Sequence, residues 1–258
     1  MNRYLIQAAL SAGKEIMKIY ETDFDIEYKE DESPLTTADK RAHDVIKNVL
    51  RKHFPALPVL SEEGRHLPYE QRKEWKEFWL VDPIDGTKEF IKKNGEFTVN
   101  IARIRDGRPV EGIVYAPALD TLYVAEETKG AYKVDGIWGR ENISVKRLPL
   151  EQKKDITVRV VASRSHMSAE TEAFIEDLKI KYKKVETITA GSSLKLCLIA
   201  EGNADFYPRY APTMEWDTGA GQAIVELSGA KVEVAAENKP LTYNKENLKN
   251  PWFLAYRK

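Results

Sequence analysis

Three strand-like runs follow one another between residues 97 and 125 with only short turns to link them. Phe97, Val99 and Ile101 alternate with polar positions, the two-residue period of a strand with one buried face. Arg105-Asp106-Gly107-Arg108 is a turn signal, and residues 110–114 and 121–125 carry the strand pattern onward. Links this short join antiparallel neighbours, because a parallel crossover needs a dozen residues or more. The middle of the chain is therefore committed to an antiparallel sheet, and the remaining segments must cover it.

Helical periodicity precedes that sheet. Leu5, Ala9, Ala12, Ile16 and Ile19 recur at three- and four-residue spacing and predict one apolar helix face. Thr36 or Thr37 can cap a second helix, with Ala42, Val45, Val49 and Leu50 as its buried face. Residues 24–33 read as a loop or ragged strand, 57–60 as a short strand and 64–77 as a polar surface excursion. Phe78-Trp79-Leu80-Val81 is a buried strand ending at Asp82. Residues 135–144 read as loop.

A second half begins near residue 155. Strands are predicted at 157–162 and 204–207, with a final one at 231–235; helices are predicted at 168–182, 194–201 and 216–227. The last helix has small residues, Gly219, Ala220 and Gly221, in its first turns. Antiparallel strands with interleaved helices predict a layered α/β fold of mixed α+β character rather than a doubly wound parallel sheet. The expected division is an N-terminal α+β region, 1–150, and a C-terminal α/β region, 151–258, forming one compact unit.

Composition excludes several classes. A chain of 258 residues that is 42% hydrophobic and 31% charged is not a disordered segment. With 40 basic against 41 acidic residues it is neither a nucleic-acid polymer coat nor a membrane-surface module. No apolar run reaches the ~18 residues of an integral membrane segment. Met1-Asn2-Arg3-Tyr4 leads into an amphipathic stretch rather than a signal peptide. Cys197 is the sole cysteine and lies in an apolar stretch, so it reads as a buried thiol in a reducing, cytoplasmic setting. Peripheral association with an inner membrane stays open, as does the choice between monomer and homodimer.

Three acidic clusters fall at predicted element ends: Glu62-Glu63, Asp82-Pro83-Ile84-Asp85-Gly86-Thr87, and Asp217 within Trp216-Asp217-Thr218-Gly219-Ala220-Gly221. Hard divalent cations take such oxygen ligands, and Mg²⁺ combines a few carboxylates with water and substrate phosphate. The turn at Asp82 can aim two carboxylates and the Ile84 carbonyl inward, and Gly86 admits a phosphate close to the backbone. Taken singly, each cluster reads equally well as a solvated turn.

In combination they resemble the inositol monophosphatase superfamily of lithium-sensitive, Mg²⁺-dependent phosphatases. Pro34-Leu35-Thr36-Thr37-Ala38-Asp39, Ser61-Glu62-Glu63, Asp82 to Thr87, Gly191-Ser192-Ser193 and Trp216 to Gly221 stand in family order along nearly the whole chain. The resemblance implies the layered αβαβα sandwich of the inositol monophosphatase and sugar phosphatase type. Within the superfamily the chain is most similar to the bacterial CysQ-type 3′(2′),5′-bisphosphate nucleotidases. Ser163-Arg164-Ser165-His166, the stretch from Gly191 through Lys195, and Tyr207-Pro208-Arg209 carry that similarity. A cation at Arg209 suits a second phosphate, where the polyol enzymes carry an acid.

The resemblance further implies two or three Mg²⁺ ions. Glu62, Asp82 and the Ile84 carbonyl would hold one; Asp82, Asp85 and Asp217 would hold a second; Glu62 or Glu63 would hold a weaker third through water. Thr87 with Asp39 would orient and deprotonate the attacking water, with Glu62 also part of the catalytic set. Gly86, Thr87, Ser163, Arg164, His166, Gly191, Ser192, Ser193, Lys195, Arg209 and Asp217 would contact substrate. The implied reaction converts adenosine 3′,5′-bisphosphate to AMP and phosphate, with the 5′-phosphosulfate analogue as a second substrate and a link to sulfur metabolism. The alternatives are an inositol or fructose-bisphosphate phosphatase on the same scaffold, and a catalytically silent relative that only binds a phosphometabolite.

Overall fold

The computed structural model describes residues 2–21, 26–28, 34–65, 67–138, 143–150, 156–162 and 167–257. Helix α1 (Arg3–Tyr20) begins at Asn2, whose side chain accepts the Tyr4 amide N–H at 3.1 Å. Every expected inward position of α1 is buried. On α2 (Thr37–His53) the inner face is rotated from the expected one. Ala38, Ala42, Ile46 and Leu50 form the buried stripe, and Val45 and Val49 are only partly covered. A spacing of four makes this the ridge that lies against α1. A small antiparallel pair, β1 (Ile26–Tyr28) and β2 (Pro34–Thr36), joins the two helices.

The larger sheet has seven strands in chain order: β3 (Val59–Ser61), β4 (Glu77–Asp85), β5 (Thr98–Arg105), β6 (Arg108–Ala116), β7 (Thr121–Glu126), β8 (Gly130–Asp135) and β9 (Ser144–Arg147). Only β3 and β4 run parallel. The helical turn α3 (Tyr69–Arg72) interrupts the link to β4, and α4 (Thr87–Ile91) follows β4. The smaller sheet has five strands, ordered β11 (Val185–Thr189), β10 (Val158–Ala162), β12 (Phe206–Arg209), β14 (Phe253–Tyr256) and β13 (Lys231–Val234). Between its strands lie α5 (Ala169–Lys181), α6 (Leu194–Glu201) and α7 (Glu215–Leu227).

These elements stack as the expected αβαβα sandwich. Helices α1 and α2 cover one face of the seven-stranded sheet, while α6 and α7 lie between the two sheets. Helix α5 covers the far side of the five-stranded sheet. Strand alternation divides the apolar residues between two cores. Trp79, Val81, Val99 and Ile101 face α1 and α2; Phe78, Leu80, Ala102 and Ile104 face α6 and α7. With helices on both sides, β5 is buried on both faces rather than half-buried. Three further expectations are corrected. Strand β4 continues past Asp82 to Asp85, β8 and β9 extend the sheet towards and beyond the expected loop, and β14 follows the strand expected to be last. Among the described residues no helix is long and apolar enough to cross a membrane.

Small residues let α7 approach its neighbours closely. A Cβ on Gly112 of β6 would stand 2.6 Å from the Ala220 carbonyl oxygen, and one on Gly221 would stand 2.4 Å from Leu196 Cδ1 of α6. The start of α7 is held by a different device. Glu215 is fully buried and accepts the amide N–H groups of Asn244 at 2.7 Å and Lys245 at 2.9 Å, along with Lys245 Nζ at 2.6 Å. Arg72 grips the same segment from the other side. Its guanidinium donates to Asn244 Oδ1 and to the Lys245 and Glu246 carbonyls at 2.7–2.9 Å. The excursion at 64–77, expected to lie on the surface, thus sends a buried arginine inward, because the carbonyls of 245 and 246 need donors.

Arg72→Ala removes these charged donors and leaves part-buried acceptors behind. It is expected to lower the unfolding free energy by about 3 kcal/mol, read from urea denaturation. A loss below about 1 kcal/mol would mean that the 244–246 segment is held by Glu215 alone.

Candidate active site

The ends of β3, β4 and β5 set three polar side chains in one row. Parallel pairing puts Ser61 beside Val81, so Glu62 falls next to Asp82; its amide donates to the Val81 carbonyl at 3.1 Å. Across the antiparallel ladder Asp82 pairs with Asn100, and Asp85 pairs with Thr98. The chain advances three residues on β4 for two on β5. In a regular strand positions i and i+3 point to opposite faces. A bulge at Pro83-Ile84 absorbs the extra residue, so both aspartates point towards the α6 and α7 side while Ile84 enters the α1/α2 core.

Gly86 then turns the chain with φ of 90°, a conformation that glycine adopts without strain. Thr87 opens α4, and its hydroxyl donates to the Ile84 carbonyl at 3.4 Å. The turn before α6 docks on this corner. Ser193 Oγ lies 2.8 Å from both Asp85 Oδ2 and the backbone carbonyl of Asp217. Asn100 Nδ2 donates to Ser193 Oγ at 2.9 Å and reaches Asp85 Oδ2 at 3.4 Å, and its Oδ1 accepts from Thr98 Oγ1 at 3.0 Å. Asp217, in the first turn of α7, accepts the Met214 amide N–H at 2.9 Å and so caps its own helix.

The acids lie together, with Asp39 and Asp82 buried and Glu62, Asp85 and Asp217 half-buried. Asp82 is 1% exposed, and its Oδ1 has no hydrogen-bond partner among the described residues. Burial pushes its carboxyl well above the usual range, and Glu62, Asp85, Asp217 and Asp39 add repulsion in that order. Burial also raises Asp85, outweighing the pull of Lys195, Ser193 and Asn100. Asp217 is pushed up to about 8 by burial and then by Asp85. Such a cluster is a poor structure for its own sake and a good seat for a cation. Among the described residues no three acidic, His or Cys side chains close on a common point. A hard ion seated on these acids would have to complete its shell with a carbonyl, water and phosphate oxygens. Glu63 shares the Glu62 turn but acts electrostatically on His43.

On the other side of Asp85 and Asp217 opens a cleft lined by Gly86, Ser192, Ser193, Lys195 and Arg209. Lys195 is 8% exposed, donates to the Ala190 carbonyl at 3.4 Å and lies 5.9 Å from the Tyr207 ring centroid. Burial lowers its pKa to about 8 against the opposing pull of Asp85. Arg209 Nη2 donates to the Pro212 carbonyl at 3.0 Å. Gly191 does not line the cleft; its backbone lies against Glu96, where a Cβ would come within 2.7 Å of the carbonyl oxygen. Ser163, Arg164 and His166 lie outside the described residues. Sequence reasoning missed Asn100 and Thr98, although both occupy the polar positions between Phe97, Val99 and Ile101. It also missed Glu89 and Thr213 in the cleft wall, for which the sequence carries no comparable signal, while Tyr207, in the stretch that carries the family resemblance, lines the cleft beside Arg209.

The inositol monophosphatase family model matches residues 1–251. A 3′(2′),5′-bisphosphate nucleotidase named CysQ from Escherichia coli K12 is 45% identical over 250 residues, 96% of each chain. The crystal structure of CysQ from Bacteroides thetaiotaomicron, described as a bacterial member of the inositol monophosphatase family, superposes with a TM-score of 0.89 at 49% identity, covering 99% of this chain and 97% of that one. An inositol monophosphatase from Anabaena shares the fold at a TM-score of 0.72 and 24% identity, covering 98% of this chain and 89% of its own.

The raised carboxyls give the metal-free protein a pH signature. Asp217 in the fold keeps its proton up to about pH 8, whereas an exposed aspartate has lost it above about pH 4. Between those values the folded state holds a proton that the unfolded chain does not, so stability falls as pH rises through the window. Lys195 works in the opposite sense and only above about pH 8. His43, lowered by burial, opposes the trend below the ordinary imidazole range. Asp217→Asn removes the carboxyl alone. In EDTA, the urea stability of wild type relative to Asp217→Asn is expected to decline between about pH 5 and 8. A pH-independent difference would refute the raised carboxyl.

Proposed function

This chain belongs to the inositol monophosphatase family, and from that premise we propose that it is a Mg²⁺-dependent 3′(2′),5′-bisphosphate nucleotidase. Its preferred reaction is removal of the 3′-phosphate from adenosine 3′,5′-bisphosphate, with the 5′-phosphosulfate analogue as a second substrate. The observation that carries this reading is the placing of Lys195 and Arg209 in the same cleft as Asp85 and Asp217. Relatives named for that activity are 45% identical over nearly the whole chain.

Glu62, Asp82, the Ile84 carbonyl, Asp85 and Asp217 are the residues that would hold two magnesium ions, with Glu63 near a third. When bound, the metal supplies positive charge that neutralises the phosphoryl oxygens and acidifies water. The rest of the work falls to the chain itself. Asp39, buried in the first turn of α2, supplies the basicity that a threonine lacks, and Thr87 orients the attacking water towards it. Gly86, without a side chain, allows the scissile phosphate to approach the backbone at the start of α4. Asn100 and Ser193 hold Asp85 in place from behind. Lys195 and Arg209 neutralise the second phosphate. An inositol monophosphatase, whose substrate has no second phosphate, is less well served by a cationic wall, and a silent binding relative has no use for the Asp39 and Thr87 pair. Residues 1–150 and 151–258 are taken as two regions of one catalytic unit, a reading supported by the packing of α6 and α7 between the two sheets.

Asp82 stands at the centre of the acidic cluster. Asp82→Asn is expected to abolish Mg²⁺-dependent phosphate release while the circular dichroism spectrum stays native. Turnover near the wild-type rate by the folded variant would remove Asp82 from the metal set.

Substrate choice is tested by Arg209→Ala. A charged hydrogen bond to the 5′-phosphate is worth ~1.5–3 kcal/mol, so kcat/KM on adenosine 3′,5′-bisphosphate should fall roughly ten- to a hundredfold. The loss on adenosine 3′-monophosphate, which lacks that phosphate, should be much smaller. Equal losses on both would assign Arg209 to the scaffold or the shared phosphate site.

A further inference from the structure

A second crevice of about 500 Å³ opens beside α2 and abuts the turn that carries Glu62 and Glu63. It shares no wall with the cleft of Lys195 and Arg209. Its lining is partly apolar, with Leu57 and Trp75, and partly cationic. His43, Lys47 and Arg51 recur at four-residue spacing on α2 and so share one face, and Arg65 also lines the crevice.

Two observations mark this as more than a solvated charge run. No carboxylate lies within ion-pair distance of Lys47, Arg51 or Arg65 among the described residues, although the whole chain has a net charge of −1. Like charges four apart on a helix repel, and an anion between them relieves that repulsion. At the base of the group, His43 is 7% exposed, and its Nδ1 is 2.9 Å from Ser61 Oγ. With the Ser61 hydroxyl donating to Nδ1, the ring proton sits on Nε2, which no described residue accepts. Asp44 and Glu63 also act on His43, so the excess positive charge lies at the mouth, where Lys47, Arg51 and Arg65 stand. A volume of this order suits a small molecule rather than a polymer.

We propose that this crevice is a second anion site, taking a small organic phosphate or sulfate. Its flat apolar body lies against Trp75 and Leu57, and its anionic group sits among Lys47, Arg51 and Arg65 within reach of His43 Nε2. The site is independent of the nucleotidase reading.

The probe is 8-anilinonaphthalene-1-sulfonate, titrated by fluorescence against the full chain. Saturable binding is expected, weakened by roughly tenfold or more in Lys47→Glu/Arg51→Glu, unchanged in Arg209→Ala, and reversed by inorganic sulfate. The milder pair Lys47→Gln/Arg51→Gln should show the same direction with an unaltered melting curve and wild-type phosphate release. Wild-type affinity in both pairs would overturn the proposal. So would failure of sulfate to compete, or loss of binding in Arg209→Ala, which would move the probe to the other cleft. Absence of nucleotidase activity would leave this result untouched, since the readout is probe binding.

Discussion

Repulsion among buried carboxylates is the constraint around which the molecule is arranged. Asp82, Asp85, Asp217, Glu62 and Asp39 act on one another where water is scarce, and nothing in protein folding favours that by itself. They are held because each rides on an element fixed by something else. Glu62 and Asp82 are placed by the register of β3 on β4, Asp85 by a bulge, Asp217 by the first turn of α7, and Asp39 by that of α2. The apolar cores on both faces of the seven-stranded sheet supply the rigidity. A looser sheet would let the carboxylates separate.

The bulge also explains how a short sequence achieves so much. Without it, one of the two aspartates of β4 would enter the apolar core against α1 and α2. With it, Ile84 takes that place, and a proline, which has no amide to offer the ladder, sits where the ladder is already interrupted. Asn100 then serves two neighbours, steadying Asp85 and Ser193 through one amide. The cleft beyond draws on both halves of the chain, Gly86, Lys88 and Glu89 from the first and Ser192, Ser193, Lys195 and Arg209 from the second.

Much of this was legible in the residue order. The apolar face of α1, the antiparallel run from β5 to β7 and the small residues of α7 follow from periodicity and size. The acidic motifs could be read because hard-cation chemistry demands a particular residue type at element ends. Features that depend on what lies across space stayed hidden. The four-residue stripe of α2 reflects α1 packed against it, and the two buried faces of β5 reflect helices from distant parts of the chain. Strands β8 and β9 are short and half-exposed, so their alternation is weak. Arg72 looked like one charge among many, because its partners lie more than 170 residues away.

That last distance bears on the order of events during synthesis. Arg72 and Glu215 meet only through residues 244–246, close to the end of the chain. Until that segment leaves the ribosome, both charges lack the backbone groups that receive them, and the first turn of α7 has no anchor. The acidic cluster gains its Asp217 from that same turn. A nascent chain can thus build the large sheet early and still carry an unassembled site. The Asp217 corner of the acidic cluster is fixed only once residues 244–246 have joined the fold.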